Sequence, residues 1–273
     1  MHVKNIVAII NVIDDKEEIV MDYAFEDEKR TKIIYANASD IVQYKGVRCY
    51  CKNPYCEARM FIYNPEHPSS AFFKASGKPS HNGSCGSIYN HFDNTEYDAN
   101  LFNFPDVLID LEKEPIKKKT CISGRTGSGE ETFGKKGLKT IKEIYKMATN
   151  TPPNDEYNGI KIKDILADVR SYSEYEDGIM GYHLVECNFF RYENNEKAII
   201  MNFPFLPNNR YYLRLVFENE ELFRKERSRI YDTGHKGLIV ISGLWQQIDE
   251  EYEKSTIKAE CKIKSEKQIA IIK

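Results

Sequence analysis

Short runs of alternating apolar and polar residues dominate the chain and predict strands, because successive side chains of a pleated strand fall on opposite faces. In the first third these runs lie at 5–13, 32–36, 47–51, 58–63 and 71–74. Asn53-Pro54, Asn64-Pro65 and Gly77-Lys78-Pro79 separate the later ones, so the pattern predicts a meander of antiparallel strands. Farther on, Leu138, Ile141, Ile144, Tyr145 and Ala148 recur at helical spacing until Thr151-Pro152-Pro153 stops the run, which predicts one amphipathic helix. Strand-like segments then follow at 160–165, 182–192, 197–203, 210–217, 237–245, 256–263 and 268–272. Between the fourth and fifth of these, residues 220–230 are rich in charge and apolar at Leu222, Phe223 and Ile230, and predict a second helix.

After His91 the periodicity decays, and the stretch ISGRTGSGEETFGKKG offers little that can pack. The expected organisation is a metal-binding β domain over residues 1–111, a basic Gly/Ser linker over 112–136, and a second domain over 137–273 with one leading helix. The fold class expected is β-rich α+β. Five or more strands with a helix before the last few is the element order of a small Greek-key barrel such as the OB-fold. The segments GLIVISGLWQQ and TIKAECKIKSEKQIAII resemble the closing strands of such barrels, in pattern and not by motif. No internal repeat relates the two halves.

Composition sharpens this picture in three ways. With 18 Tyr and 14 Phe beside one Trp, the chain favours strands. The net charge of −3 excludes a protein that is basic all over, so any nucleic-acid surface has to be local. Residues 115–146 carry nine Lys or Arg against three Glu, among them Lys117, Lys118 and Lys119, which serve either a solvated linker or contacts to phosphate. Seven cysteines, an apolar N-terminal run too short to span a membrane, and the lack of a cleavage site predict a cytoplasmic protein with free or metal-bound thiols.

The strongest chemical signal is a set of four metal ligands. Cys51 and Cys56 form a C-x4-C pair, and 24 residues later His81 and Cys85 form an H-x3-C pair. Two short pairs joined by a longer connection suit a tetrahedral Zn²⁺, and thiolate with imidazole selects zinc over calcium or magnesium. His81-Asn82-Gly83-Ser84-Cys85 is a turn sequence and poor core material, which argues against ordinary buried cysteines. Cys49 shares a strand face with Cys51 and competes with it; the spacing prefers Cys51.

The stretch RCYCKNPYCEARMFI with FFKASGKPSHNGSC resembles the β-sheet zinc fingers of the FLYWCH and WRKY-GCM type over about 40 residues. The resemblance implies a small antiparallel sheet pinned by the metal, with a role in DNA binding. Its last pair, H-x3-C, departs from the H-x-H or H-x-C of those families, so only the ligands Cys51, Cys56, His81 and Cys85 carry over.

Other candidates are weaker. The run Gly124-Arg125-Thr126-Gly127-Ser128-Gly129 is followed by Glu130 and Glu131 where a phosphate loop needs Lys and Ser/Thr. His91, His183 and His235 accompany no nucleophile, and no catalytic motif is present, so the reading leans away from an enzyme. On the strand 210–217, Arg210, Tyr212 and Arg214 share one face, a combination suited to single-strand binding as well as to an ordinary polar outer face. The expected function is that of a zinc-stabilised nucleic-acid-binding protein. The alternatives are a non-catalytic subunit docking on a protein partner, or an enzyme whose site is assembled from scattered residues.

Overall fold

In the computed structural model, residues 20–81, 85, 92, 94–113, 135–204, 210–234 and 237–272 are described. The predicted strand at 5–13, His91, Lys117, Lys118, Lys119, the glycine-rich run at 124–129 and His235 lie outside the described residues.

Six short strands form the N-terminal sheet: β1 (Val20–Met21), β2 (Tyr23–Phe25), β3 (Ile33–Tyr35), β4 (Cys49–Tyr50), β5 (Arg59–Tyr63) and β6 (Phe72–Ala75). All pairings are antiparallel, in the order β1-β6-β5-β4-β2-β3. One face buries Met21, Ala24, Ile34, Cys49, Met60, Ile62 and Phe73 together. Strands β1 and β2 were not expected, because two or three residues are too few for alternation to register.

Two helices follow. In α1 (Phe104–Glu112) the Asn103 side chain accepts from the Asp106 N–H, and Phe104, Leu108 and Leu111 are buried on one face. Helix α2 (Ile141–Asn150) is the expected one. It opens with a reciprocal cap in which Thr140 accepts from the Glu143 N–H and Glu143 accepts from the Thr140 N–H.

Next come the hairpin β7 (Glu156–Tyr157) and β8 (Ile160–Lys161), the single turn α3 (Ile162–Ile165) and strand β9 (Leu166–Ala167). The strand expected over 160–165 therefore ends after two residues. Ile162 and Ile165 fit one helical turn as well as they fit a strand, and burying both on that turn decides between them.

Strands β10 (Gly181–Glu193), β11 (Ala198–Phe203), β12 (Tyr211–Phe217), β13 (Leu238–Tyr252) and β14 (Ser255–Ile263) close a five-stranded barrel, with helix α4 (Glu220–Asp232) between β12 and β13. Around the barrel the order is β10-β11-β12-β14-β13, and β13 pairs back to β10. Only the β12–β14 contact within the barrel is parallel. Its interior is filled by Val185, Met201, Leu213, Leu215, Trp245 and their neighbours, and Phe223 and Ile230 of α4 join the same cluster. β15 (Ile269–Ile272) and β9 extend the sheet beyond the barrel.

Packing crosses the expected boundary at residue 111. Phe92, Phe102, Phe104, Leu108 and Leu111 pack with α2, β15 and the outer side of β10 and β13, so their apolar face belongs to the C-terminal core. The N-terminal cluster draws its described members from Met21 to Cys85. No helix among the described residues is long and apolar enough to cross a membrane.

Candidate metal centre

Strand β4 ends at Tyr50, and the chain carries Cys51 past the sheet edge on the same side as buried Cys49. Cys56 lies in the turn before β5, and His81 and Cys85 follow the Gly77-Lys78-Pro79 turn after β6. Their donor atoms converge, all within 4.8 Å of one another. The Cys51 sulfur lies 3.7 Å from the Cys85 sulfur and 3.7 Å from His81 Nδ1, and the Cys56 sulfur lies 3.3 Å from Nδ1. Cys49 stays outside this group, with its thiol facing the Val47 carbonyl at 3.9 Å, which removes the competitor.

Three thiols and an imidazole at such distances cannot all take their preferred charge. Contacts from the Cys51 and Cys85 thiols and from His81 hold Cys56 far below the ordinary thiol range. Cys85, facing Cys51 and that negative charge, is pushed far above it. Burial opposes a charged His81, yet the Cys51 and Cys56 sulfurs outweigh it and raise its pKa to about 9. The pocket draws positive charge inward, and a metal cation would relieve the conflict by stabilising the thiolates together. This cluster could hold a metal ion.

The surrounding chain holds the ligand turns still. Arg30 donates to the carbonyls of Cys51 at 2.8 Å and Cys56 at 3.1 Å, closing the first ligand pair from outside. Lys52, next to Cys51, is buried and donates to the Thr149 carbonyl at the end of α2. Arg170 donates to the Asp168 carboxylate at 2.7 Å, the Tyr23 hydroxyl at 2.9 Å and the Ala148 and Thr151 carbonyls at 3.0 and 3.1 Å. Two cations thus satisfy carbonyls at the negative end of α2 while touching the N-terminal sheet. Beside them Glu186 is buried, accepts from the Tyr145 hydroxyl at 2.6 Å and is raised to about 7 by burial and by Asp168. Sequence reasoning missed this network. Its members are scattered from residue 23 to 186, and no spacing pattern connects them.

The barrel face that was expected to contact nucleic acid is differently placed. Arg210 is exposed, but Tyr212 is buried, stacked on Phe190 at 4.6 Å and edge-on to Tyr252 at 5.6 Å. Arg214 is held between Glu250 at 2.7 Å and Glu260 at 2.8 Å. The alternation of β12 is as expected, but the curl of the β13–β14 hairpin brings its acids and Tyr252 over the outer side. His183 meets the Tyr175 hydroxyl at 3.4 Å and the Met180 carbonyl at 3.0 Å.

No known protein family, no curated protein and no solved structure matches this chain, so what it is rests on its own geometry.

Proposed function

We propose that Cys51, Cys56, His81 and Cys85 hold one structural zinc ion, and that the chain is a zinc-stabilised, non-catalytic nucleic-acid-binding protein of the cytoplasm. The observation that carries the zinc reading is the set of donor separations. A tetrahedral zinc with bonds of about 2.3 Å to sulfur and 2.0–2.1 Å to nitrogen spaces two sulfurs about 3.8 Å apart, and a sulfur and nitrogen about 3.6 Å apart. Three of the six separations, at 3.7, 3.7 and 3.3 Å, lie close to these edges, and all six are within 4.8 Å. Four protein donors leave no open position for a substrate, which favours a structural role. Three thiolates around Zn²⁺ carry one net negative charge, and the buried ammonium of Lys52 beside Cys51 is placed to balance it.

The nucleic-acid reading draws support from the barrel. Numbering its strands in chain order gives 1-2-3-5-4-1, with strands three and five parallel and a helix between three and four. That topology favours an OB-type barrel, a class that often binds oligonucleotides, although the fold alone does not carry function. On the face first expected to carry the contact, Tyr212 is buried and Arg214 is ion-paired, while Arg210 is exposed.

Metal analysis of purified protein should give close to one zinc per chain. Cys85→Ser should lose the metal and melt the N-terminal sheet, because the binding energy of a structural zinc is largely folding energy. A metal-free protein of unchanged thermal stability ends the zinc reading. Absence of binding to DNA or RNA at low salt ends the nucleic-acid reading in favour of a protein-docking subunit.

A further inference from the structure

The second face of the N-terminal sheet carries aromatic and cationic side chains together. Residues paired across antiparallel strands point to the same side. The pairs Phe61 with Lys74, Tyr63 with Phe72, and Tyr50 with Arg59 therefore lie together, opposite the face that buries Met60, Ile62 and Phe73. Continuing the β4–β5 register places Arg48 beside Phe61. Aromatic and cationic side chains thus interleave over β4, β5 and β6. Lys74 sits over the Tyr63 ring at 5.7 Å and Arg48 over the Tyr50 ring at 5.1 Å, while Tyr63 and Phe72 lie nearly parallel at 5.7 Å. Arg48 and Arg59 are exposed, Tyr63 is 37% exposed, and Tyr50, Phe61 and Phe72 are half-buried. None of the six strands contains an Asp or Glu.

We infer that this face binds a single-stranded nucleic acid, with Tyr50, Phe61, Tyr63 and Phe72 stacking on bases and Arg48 and Arg59 meeting phosphates. The inference rests on the nucleic-acid reading above and gives it a surface. Unpaired bases expose flat faces to aromatic rings, whereas a duplex keeps its bases stacked on one another and offers a sheet only its backbone. Side chains on one face recur about every 6.8 Å along a strand, with neighbouring strands about 4.8 Å apart, so several rings can engage successive bases. The face is cationic although the chain as a whole carries −3, which gives it the complementary charge for a polyanion. Stacking and phosphate contact use features that all single strands share, so the site is tolerant of sequence.

The test uses the full-length, zinc-loaded protein and the fluorescence anisotropy of a labelled oligothymidylate, with a duplex of equal length as comparison. The single strand should bind more tightly. With two phosphate contacts, log affinity should fall against log salt with a slope of about −1.4, roughly a sevenfold loss on a fourfold rise in salt. Tyr63→Ala should weaken binding roughly 5- to 150-fold. Arg48→Ala and Arg59→Ala should each flatten the slope by about 0.7. Zinc content and melting temperature should not change in any of the three, because these side chains face solvent. Arg210→Ala is the control and should bind as wild type. Binding that survives all three sheet variants but falls with Arg210→Ala overturns this surface and leaves the nucleic-acid reading standing. A preference for the duplex also overturns it. Failure of the zinc-loaded wild type to bind either probe overturns both.

Discussion

At the scale of single residues, two positions behave differently from their neighbours because of burial. Glu186 is a carboxyl with almost no access to water, raised to about 7, while Tyr145 donates to it. Its folded pKa lies above the ordinary 4.5, so the fold favours the protonated form. That contribution is complete below pH 4.5 and is lost as the pH rises to about 7. Glu186→Gln keeps an acceptor for Tyr145 without the charge. Wild type should therefore lose on the order of 2–3 kcal/mol relative to the variant between pH 4.5 and 8. Urea melts at both pH values decide this; an unchanging gap between the two proteins refutes it. Tyr212 is the second position. Its ring is enclosed by Phe190, Ile200, Tyr252 and Ile257, so Tyr212→Ala should cost about 3 kcal/mol of barrel stability. A loss below about 0.5 kcal/mol would instead mark the ring as solvent-facing.

At the scale of elements, local signals determine where helices begin, and packing determines whether they stay. Helix α2 was legible because Leu138, Ile141, Ile144, Tyr145 and Ala148 recur at helical spacing up to Thr151-Pro152-Pro153, and the structure adds a capping box of Thr140 and Glu143 at its start. Thr140→Ala should lower stability by about 1 kcal/mol, read as a drop in denaturation midpoint with unchanged slope. A change in slope would mean that the variant alters the unfolded or native state more broadly. Helix α1 carried comparable signals, with Asn103 at its cap and Phe104, Leu108 and Leu111 on one side. Its nine residues, enclosed by polar segments, are short enough for the pattern to merge with the neighbouring loop.

At the scale of the whole molecule, the two cores meet through a polar junction. Arg170 and Lys52 bind the carbonyl end of α2 from the C-terminal and N-terminal sides, and the Tyr35 hydroxyl donates to Asp155 at 2.7 Å. Arg170→Met should cost about 3–5 kcal/mol, because it strands the Asp168 carboxylate, which is 3% exposed, and leaves helix carbonyls unsatisfied. The N-terminal sheet should then melt separately from the barrel. A single cooperative transition of unchanged midpoint in calorimetry would show that the junction contributes little.

The sequence by itself determined the four residues of the cluster that could hold a metal ion, the strand-rich character and most strand positions in the barrel. Each of these is encoded within a few residues, as a ligand spacing, an alternation or a turn. Tertiary structure alone decided three further things. It assigned Phe92 to Leu111 to the C-terminal core, since an apolar helix face does not name the surface it will cover. It buried Tyr212 and paired Arg214, because the curl of β13 and β14 brings residues 250, 252 and 260 to the outer side of β12. And it gathered Tyr50, Arg59, Phe61, Tyr63, Phe72 and Lys74 onto one face, since alternation assigns a side within each strand but only strand order and register set the neighbours across them.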